Sequence, residues 1–256
     1  MFRDGMGMFT RAAAGSCGLL ASLAVWVMAT PPVQASSAQG ATLASVQLLS
    51  GKPVKAVIST PGQKVNYTFA GAAGKHVTFQ VTNFNFSNGT SGGEVVLDFY
   101  KPGSSSIYTS CAFTGDDFCD FTPPRTGTWK VKLIPVSASV GSLTLTFAKD
   151  VATQALTSGT PVNTTIAFEG QHAGYTFAGA AGKHVTFQVT NFNFSNGTSG
   201  GEVVLDFYEP GSSSIYTSCA FTSDDFCDFT PPLTGTWSAA LVPVSASVGS
   251  LTLTMT

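Results

Sequence analysis

The sequence predicts an all-β protein in which two tandem antiparallel β-sandwich modules, of jelly-roll type, follow an N-terminal signal peptide. Three observations support this fold class. The 256-residue chain repeats itself at an offset of 108 residues. Each repeat alternates polar and apolar residues with a period of two, and the first 35 residues have the pattern of an export signal.

The N-terminal segment places basic, apolar and small residues in the order of a secretory signal. Two arginines precede an apolar stretch at residues 18–30, and small residues at 33–35 form a cleavage pattern. We therefore expect residues 1–35 to be removed and the rest of the chain to be exported, with no membrane attachment. An uncleaved anchor is the alternative, because residues 12–30 approach the length of a membrane span.

The rest of the chain is one module written twice. Residues 67–100 are identical to residues 175–208, and 73 of the 82 positions from 67 to 148 match their copies. The copies predict modules at 42–148 and 152–256, each close to a common domain size. The link between them is too short to give the modules much freedom.

Each module has the pattern of short strands joined by turns. Residues 76–81, 94–100 and 142–147 alternate β-branched or aromatic residues with polar ones, and Gly-rich and Asn-Gly segments lie between such runs. About seven to nine strands of this kind predict a sandwich. Trp129 and Trp237 each begin the strand that follows a Pro-Pro pair and a Thr-Gly turn, and we assign them to the core.

The composition limits the class of partner. Only 10% of the residues are charged and the formal net charge is −2, which gives no field for holding nucleic acid. Hydrophobic residues make up 43% of the chain, too many for a disordered protein. Ser and Thr together number 60, and we expect them to cover the solvent-facing sides of the sheets.

The order of several motifs resembles that of bacterial pre-peptidase C-terminal domains. The similarity covers nearly all of both modules, and in the first it is carried by residues 62–81, 96–103, 126–131 and 141–146. Such domains are secreted jelly-roll sandwiches, usually appended to proteases and other exported enzymes. The resemblance implies a non-catalytic role, in contacting a substrate or in placing a partner.

The cysteine pattern agrees with export. Cys17 would leave with the signal, and the four remaining cysteines repeat one spacing, which predicts one disulfide per module. The segment between them has the pattern of a hairpin centred near Gly115, which would place the two cysteines opposite each other. The predicted pairs are Cys111 with Cys119 and Cys219 with Cys227.

Two aspartate clusters are the strongest polar motif. Each puts three carboxylates within five residues of a turn, and calcium prefers oxygen ligands. A calcium site is one interpretation, and a solvated turn is the other, because aspartates favour turns for backbone reasons. No other cofactor is indicated. The clusters are Asp116, Asp117 and Asp120 in the first module, and Asp224, Asp225 and Asp228 in the second.

Aromatic residues provide a second candidate surface. Some of them interrupt the alternation of the strands or flank the disulfide segment, where exposed rings would suit stacking on sugars or contact with a protein groove. The alternative is that these rings cap the sandwich core. The candidates are Phe84, Phe86, Tyr108 and Phe113, with their copies Phe192, Phe194, Tyr216 and Phe221.

The sequence contains no convincing catalytic site, and we expect the protein not to be an enzyme. Residues 89–93 match G-x-S-x-G, but they lie between a turn and a strand, whereas that motif needs a strand and then a helix. Glu94 and Asp98 would stand roughly 13 Å apart along a strand, outside the roughly 5 to 9.5 Å of glycosidase carboxylates. We expect the three histidines, His76, His172 and His184, to be exposed.

The two copies differ most in charge. Residues 42–148 carry 8 basic and 5 acidic side chains, net +3, and residues 151–256 carry 1 and 7, net −6. Opposite signs suggest contact between modules or self-association between chains, although surface drift after duplication would look similar.

Together these features favour a secreted, non-catalytic protein whose modules contact an extracellular or cell-envelope polymer, either a polysaccharide or a protein. A structural or assembly protein of the cell surface is the alternative, and a small secreted hydrolase is a remote third.

Overall fold

The computed structural model describes residues 45–89, 92–197 and 200–256, and every regular element in these ranges is a β-strand. The all-β prediction is therefore confirmed. The predicted signal peptide, residues 1–35, lies outside the described ranges. Within those ranges there is no helix of the length and hydropathy that crossing a membrane requires.

Each repeat contributes nine of the described strands. The first repeat forms β1 (Val46–Gln47), β2 (Lys52–Ile58), β3 (Val65–Gly71), β4 (Val77–Ser87), β5 (Val95–Tyr100), β6 (Ile107–Phe113), β7 (Asp117–Phe121), β8 (Gly127–Pro135) and β9 (Val140–Lys149). The second forms β10 (Val151–Ala155), β11 (Val162–Ile166), β12 (Ala173–Gly179), β13 (Val185–Ser195), β14 (Val203–Tyr208), β15 (Ile215–Phe221), β16 (Asp225–Phe229), β17 (Gly235–Pro243) and β18 (Val248–Met255).

The strands of each repeat form two sheets. In the first repeat the sheet orders are β1-β3-β8-β5-β6 and β2-β9-β4-β7, and the second repeat has the orders β10-β12-β17-β14-β15 and β11-β18-β13-β16. Neighbours pair antiparallel except β1 with β3 and β10 with β12, which are parallel. Parallel pairing needs a crossover, and here the intervening strand, β2 or β11, lies in the opposite sheet.

The inward faces of the two sheets meet in an aromatic core. Trp129 and Trp237 are fully buried, as predicted. In the first module Phe69 packs edge-on against Phe79 with ring centroids 5.0 Å apart, and Phe147 lies 5.3 Å from Phe79. Pairs of this geometry stabilise a core beyond the area that they bury.

A β-bulge explains why the alternation breaks in the longest strands. Asn83 and Phe84 of β4 together oppose the single residue Leu143 of β9, and Asn83 has a φ of 53°. The extra residue reverses the facing of the later residues in the strand, so Phe86 returns to the core. The second repeat has the same bulge at Asn191, with a φ of 54°.

The disulfides join the two sheets of each sandwich. Cys111 bonds Cys119 and Cys219 bonds Cys227, as predicted. The predicted hairpin, however, is wrong. Strand β6 pairs with β5 at the edge of one sheet, and β7 pairs with β4 at the edge of the other. Residues 114–116 therefore cross between sheets, because each sheet has an open edge there, and the disulfide closes that side of the sandwich.

Candidate functional site

The predicted tyrosines lie on the surface, one on each module. Tyr108 and Tyr216 are 39% and 44% exposed, and each follows an isoleucine, Ile107 or Ile215, that is more than half exposed. Both tyrosines stand near the start of an edge strand, β6 or β15. The repeat therefore presents the same apolar and aromatic pair twice.

A buried tryptophan supports each exposed tyrosine. The Tyr108 ring meets the indole of Trp129 edge-on, with centroids 5.4 Å apart, and lies 6.0 Å from Phe121. Tyr216 has the same relation to Trp237, at 5.3 Å. A ring held in this way loses little conformational freedom when a ligand covers it, which favours binding.

The two modules differ at the position whose side chain lies over the Tyr108 ring. Lys101 Nζ lies 4.3 Å from the centroid of the Tyr108 ring, within the range of a cation–π interaction. The matching residue in the second module is Glu209. The two tyrosine surfaces therefore share an aromatic centre and differ in the sign of the adjacent charge.

The structure contradicts four of the predicted contact residues. These four rings belong to the sandwich core and are at most 5% exposed, so a surface ligand cannot reach them: Phe86, Phe113, Phe194 and Phe221. Phe84 and Phe192 are half-buried, with centroids 5.3 Å from the buried ring two residues along the strand. Among the eight predicted contact residues, all of which the structure describes, only Tyr108 and Tyr216 have exposed rings.

The carboxylates of the predicted calcium clusters do not converge. In the first module Asp116 Oδ1 accepts the Phe84 backbone N–H at 2.7 Å, and Asp117 Oδ1 accepts the N–H of Phe118 at 2.8 Å. Asp120 instead faces His76, with Oδ2 3.6 Å from Nε2. The second module repeats these contacts with Asp224, Asp225 and Asp228.

A histidine pair lies at the junction of the two modules. Only Asp150 separates β9 from β10. Its Oδ1 lies 2.9 Å from His76 Nδ1 and accepts the His172 backbone N–H at 3.0 Å. The imidazole rings of His76 and His172 stack with centroids 4.0 Å apart. The side chain of His76 is only 16% exposed, so the prediction of an exposed histidine is wrong there.

The loop Phe168–His172, here called the junction loop, brings His172 to the first module. Thr78 Oγ1 donates to Glu169 O at 2.8 Å, and Gln171 Nε2 donates to Lys149 O at 2.7 Å. The sequence contained a signal for this contact, because the two copies differ in this loop. Phe168, Glu169 and His172 replace Thr60, Pro61 and Lys64 of the first module.

The junction controls the charge state of His76. Burial alone would lower the pKa of His76, but its contacts with Asp120 and Asp150 outweigh this effect and raise the pKa to about 9. The stacked His172 has a lowered pKa, because it is buried and lies next to the positive charge of His76. At neutral pH the pair is one imidazolium stacked on one neutral imidazole.

The geometry of this histidine pair decides whether it can bind a metal ion or act in catalysis. Among the described residues, one group brings three potential metal ligands within 4.8 Å of one another: His76, Asp120 and His172. However, the two rings are parallel to within 9°, so their in-plane lone pairs do not converge on one point. Both nitrogens of His76 already face carboxylates, which suits a structural ion pair and not a general base.

A cavity of about 440 Å³ opens beside this pair. Its walls include Lys75 and His76 from the first module, and Thr153 and Gly174 from the second. The cavity wall combines small and aliphatic groups with several charged side chains, which are those of Lys75, His76, Lys149 and Asp150.

Thr90 and Ser91 of the G-x-S-x-G match lie outside the described residues.

Comparison with known proteins gives similarity of fold only. No protein-family model matches the chain, and no curated protein matches it. Among the solved structures that are similar is the pre-peptidase C-terminal domain of a collagenase from Bacillus anthracis, a representative of the family that the sequence resembles. It is 14% identical, with a TM-score of 0.33, over 41% of this chain and 95% of that domain.

Two further structures show the range of these similarities. PliG of Aeromonas hydrophila, a periplasmic inhibitor of g-type lysozyme, is 15% identical with a TM-score of 0.31, over 40% of this chain and 95% of PliG. The tandem CBM22 domains of Paenibacillus barcinonensis Xyn10C are 9% identical with a TM-score of 0.23, over 74% of this chain and 82% of theirs.

Proposed function

We propose that this protein is a secreted, non-catalytic binding protein whose two modules contact an extracellular or cell-envelope polymer through Tyr108 and Tyr216. The observation that carries the proposal is the repeated tyrosine, exposed and supported from below in both modules. Tyrosine suits such contacts because its ring is apolar while its hydroxyl bonds to water or to a polar partner.

The polymer proposal follows from the duplication. Two similar sites on one chain can engage two segments of a repeating ligand, so that the second contact forms at a high effective concentration. The cross-sheet disulfides support export, because such bonds persist in oxidising compartments. The doubly paired His76 supports a non-catalytic role, since it lacks the free nitrogen that a general base needs.

A pull-down panel tests the proposal. Purified protein is mixed with insoluble cellulose, chitin, peptidoglycan and fibrillar collagen, and the fraction retained is measured. We expect retention on at least one polymer, near-normal retention by the double variant Tyr108→Phe/Tyr216→Phe, and loss of retention by Tyr108→Ala/Tyr216→Ala. Both pairs of changes are at exposed positions, so the fold should persist. Equal retention by the two double variants would contradict the proposal.

A structural or assembly role at the cell surface is the second candidate. A single observation favours it: Phe226 is 62% exposed, although its copy Phe118 is half-buried.

A further inference from the structure

Both modules carry the same surface, and within the described ranges a loop of the other module packs against it only in the first module. In the first module the surface around His76, Thr78 and Phe118 receives the junction loop, and Thr78 is 1% exposed. In the second module the copies of His76 and Phe118 are exposed, whereas Thr186, the copy of Thr78, is half-buried. Phe226 is 62% exposed, and the His184 side chain is 59% exposed, against 16% for His76. We call the open surface the acceptor face and define it by His184, Thr186, Phe226 and Asp228.

The junction loop also has an uncovered copy. Residues Thr60–Lys64 of the first module, here called the donor loop, are exposed except for Gln63, which is half-buried, whereas Gly170 and Gln171 of the junction loop are buried. Among the described residues, this interface is therefore formed once between the two modules, while the matching donor loop and acceptor face are largely exposed.

The donor loop is already folded as the junction loop is. Gln63 Oε1 accepts the Ser59 N–H at 2.9 Å, as Gln171 Oε1 accepts the Ala167 N–H at 3.0 Å. The central glycines, Gly62 and Gly170, have φ values of 77° and 72°. Docking this loop would require little reorganisation of its backbone, which lowers the entropic cost of association.

We propose that the acceptor face of one chain binds the donor loop of a second copy, so that chains associate head-to-tail through the geometry that joins the two modules. Such a contact is heterologous, because it uses different surfaces on the two partners. Repetition of a heterologous contact produces an open chain or a ring.

Charge complementarity favours the donor loop of a second copy as the segment that binds the acceptor face. In the junction, a ring nitrogen of His172 lies within 4.8 Å of the Asp120 carboxylate. The donor loop has Lys64 at the place of His172, and the acceptor face has Asp228 at the place of Asp120, so a lysine would lie beside a carboxylate. The modules that would meet carry net charges of +3 and −6.

The other two differences between the loops change the expected strength of the contact between chains in opposite directions. Burial, together with nearby Asp116 and Asp117, raises the pKa of Glu169 in the junction. The donor loop has Pro61 at the place of Glu169, so it lacks the repulsion between this glutamate and the neighbouring aspartates. Phe168 lies close to Gly51, whereas Thr60 offers a smaller apolar contact at the matching Gly159, which has open space around it. We therefore expect the contact between chains to be weaker than the internal one and sensitive to salt.

Sedimentation velocity over a wide range of protein concentration tests the proposal. At low ionic strength we expect the sedimentation coefficient to rise with concentration, and less so at high salt. Lys64→Asp and Asp228→Lys should each raise the concentration needed for association by about tenfold or more, and the two changes together should restore it. Phe226→Ser should weaken association, while Ile215→Ser, which removes another exposed side chain, serves as the control.

Three results would overturn the proposal. A monomer at every concentration and salt level would exclude the contact between chains. An equal effect of Phe226→Ser and Ile215→Ser would place association elsewhere. Failure of the charge exchange to restore association, with both single variants impaired and folded, would exclude the pairing of Lys64 with Asp228.

Discussion

The imidazole rings of His76 and His172 stack in parallel, with their planes 9° apart and their centroids 4.0 Å apart, although they come from different modules. Two protonated rings would repel each other at this distance. The contact is stable because Asp120 and Asp150 face the two nitrogens of His76, which leaves the positive charge on His76 and keeps His172 neutral.

The stability of the protein should fall as the pH rises from about 6.5 to about 9. The pKa of His76 is raised from 6.5 in the unfolded chain to about 9 in the folded one. Its contribution, on the order of 3 kcal/mol, is therefore complete below pH 6.5 and lost as the pH passes about 9. Thermal melting at several pH values should show this decline, and His76→Gln should remove it.

The second module provides the control for this pH effect. His184 is the copy of His76, but its side chain is 59% exposed, and among the described residues its single ion-pair partner is Asp228. His184→Gln should therefore leave the decline between pH 6.5 and 9 in place. The same loss of the decline in both variants would show that the junction is not its source.

The two copies differ by one buried hydrogen bond, and a single substitution should supply it. Tyr175 OH lies 2.6 Å from Thr164 Oγ1, whereas the buried Tyr67 OH has no partner. The residue at the place of Thr164 in the first module is Ala56, which is 2% exposed. Ala56→Thr should stabilise the protein by about 1 kcal/mol, and Thr164→Ala should destabilise it by a similar or larger amount.

Urea unfolding measures both changes, with Tyr67→Phe as a further check. Removing an unpartnered buried hydroxyl should leave stability unchanged or slightly increase it. Destabilisation by Tyr67→Phe would mean that the hydroxyl has a favourable contact after all.

Alanine substitutions at two equivalent glycines distinguish the effect of junction packing from the effect of backbone strain. Gly62 and Gly170 both have φ values above 70°, where any side chain is strained. A Cβ on Gly62 meets nothing within 4 Å, whereas one on Gly170 would overlap the Phe118 ring and lie 2.8 Å from Thr78 Oγ1. Gly170→Ala should therefore lower the melting temperature more than Gly62→Ala.

Proteolysis offers a second measurement of the same pair. Opening of the junction in Gly170→Ala should speed cleavage near Asp150, since this segment would become more accessible. Equal melting temperatures and equal cleavage rates for the two variants would contradict the packing of Gly170 against Phe118 and Thr78.

Calcium should not stabilise the protein through the aspartate clusters. Asp116 and Asp117 each accept a neighbouring backbone N–H, and Asp120 faces a protonated histidine. A calorimetric scan with calcium and with chelator should therefore give one melting temperature. A higher temperature with calcium, lost in Asp116→Asn, would restore the calcium hypothesis.

Local pattern was sufficient to predict the strands and the core. The alternation from His76 to Val81 gave the correct inward residues, and Trp129 and Trp237 are buried as expected. The cysteine spacing gave the correct pairs but the wrong hairpin, because sequence spacing does not say which sheet a strand joins. Phe113 was misjudged for a related reason, since its side chain faces the core and not the disulfide edge.

The junction could not be predicted in the same way. His76 and His184 have identical neighbours in sequence, and the expectation of an exposed ring suits His184 alone. The two histidines differ in exposure because the junction loop of the second module packs against His76, and this packing is a tertiary contact. The only trace in the sequence is that this loop departs from its copy.

The central claim is that the two tyrosines together bind one polymer, and a binding isotherm tests it most directly. On the polymer that retains the protein, the dissociation constants of the native chain, Tyr108→Ala, Tyr216→Ala and the double variant are compared. We predict that each single change weakens binding by about tenfold or more through lost avidity and that the double change abolishes it. Unchanged dissociation constants in both single variants and in the double variant would contradict the claim.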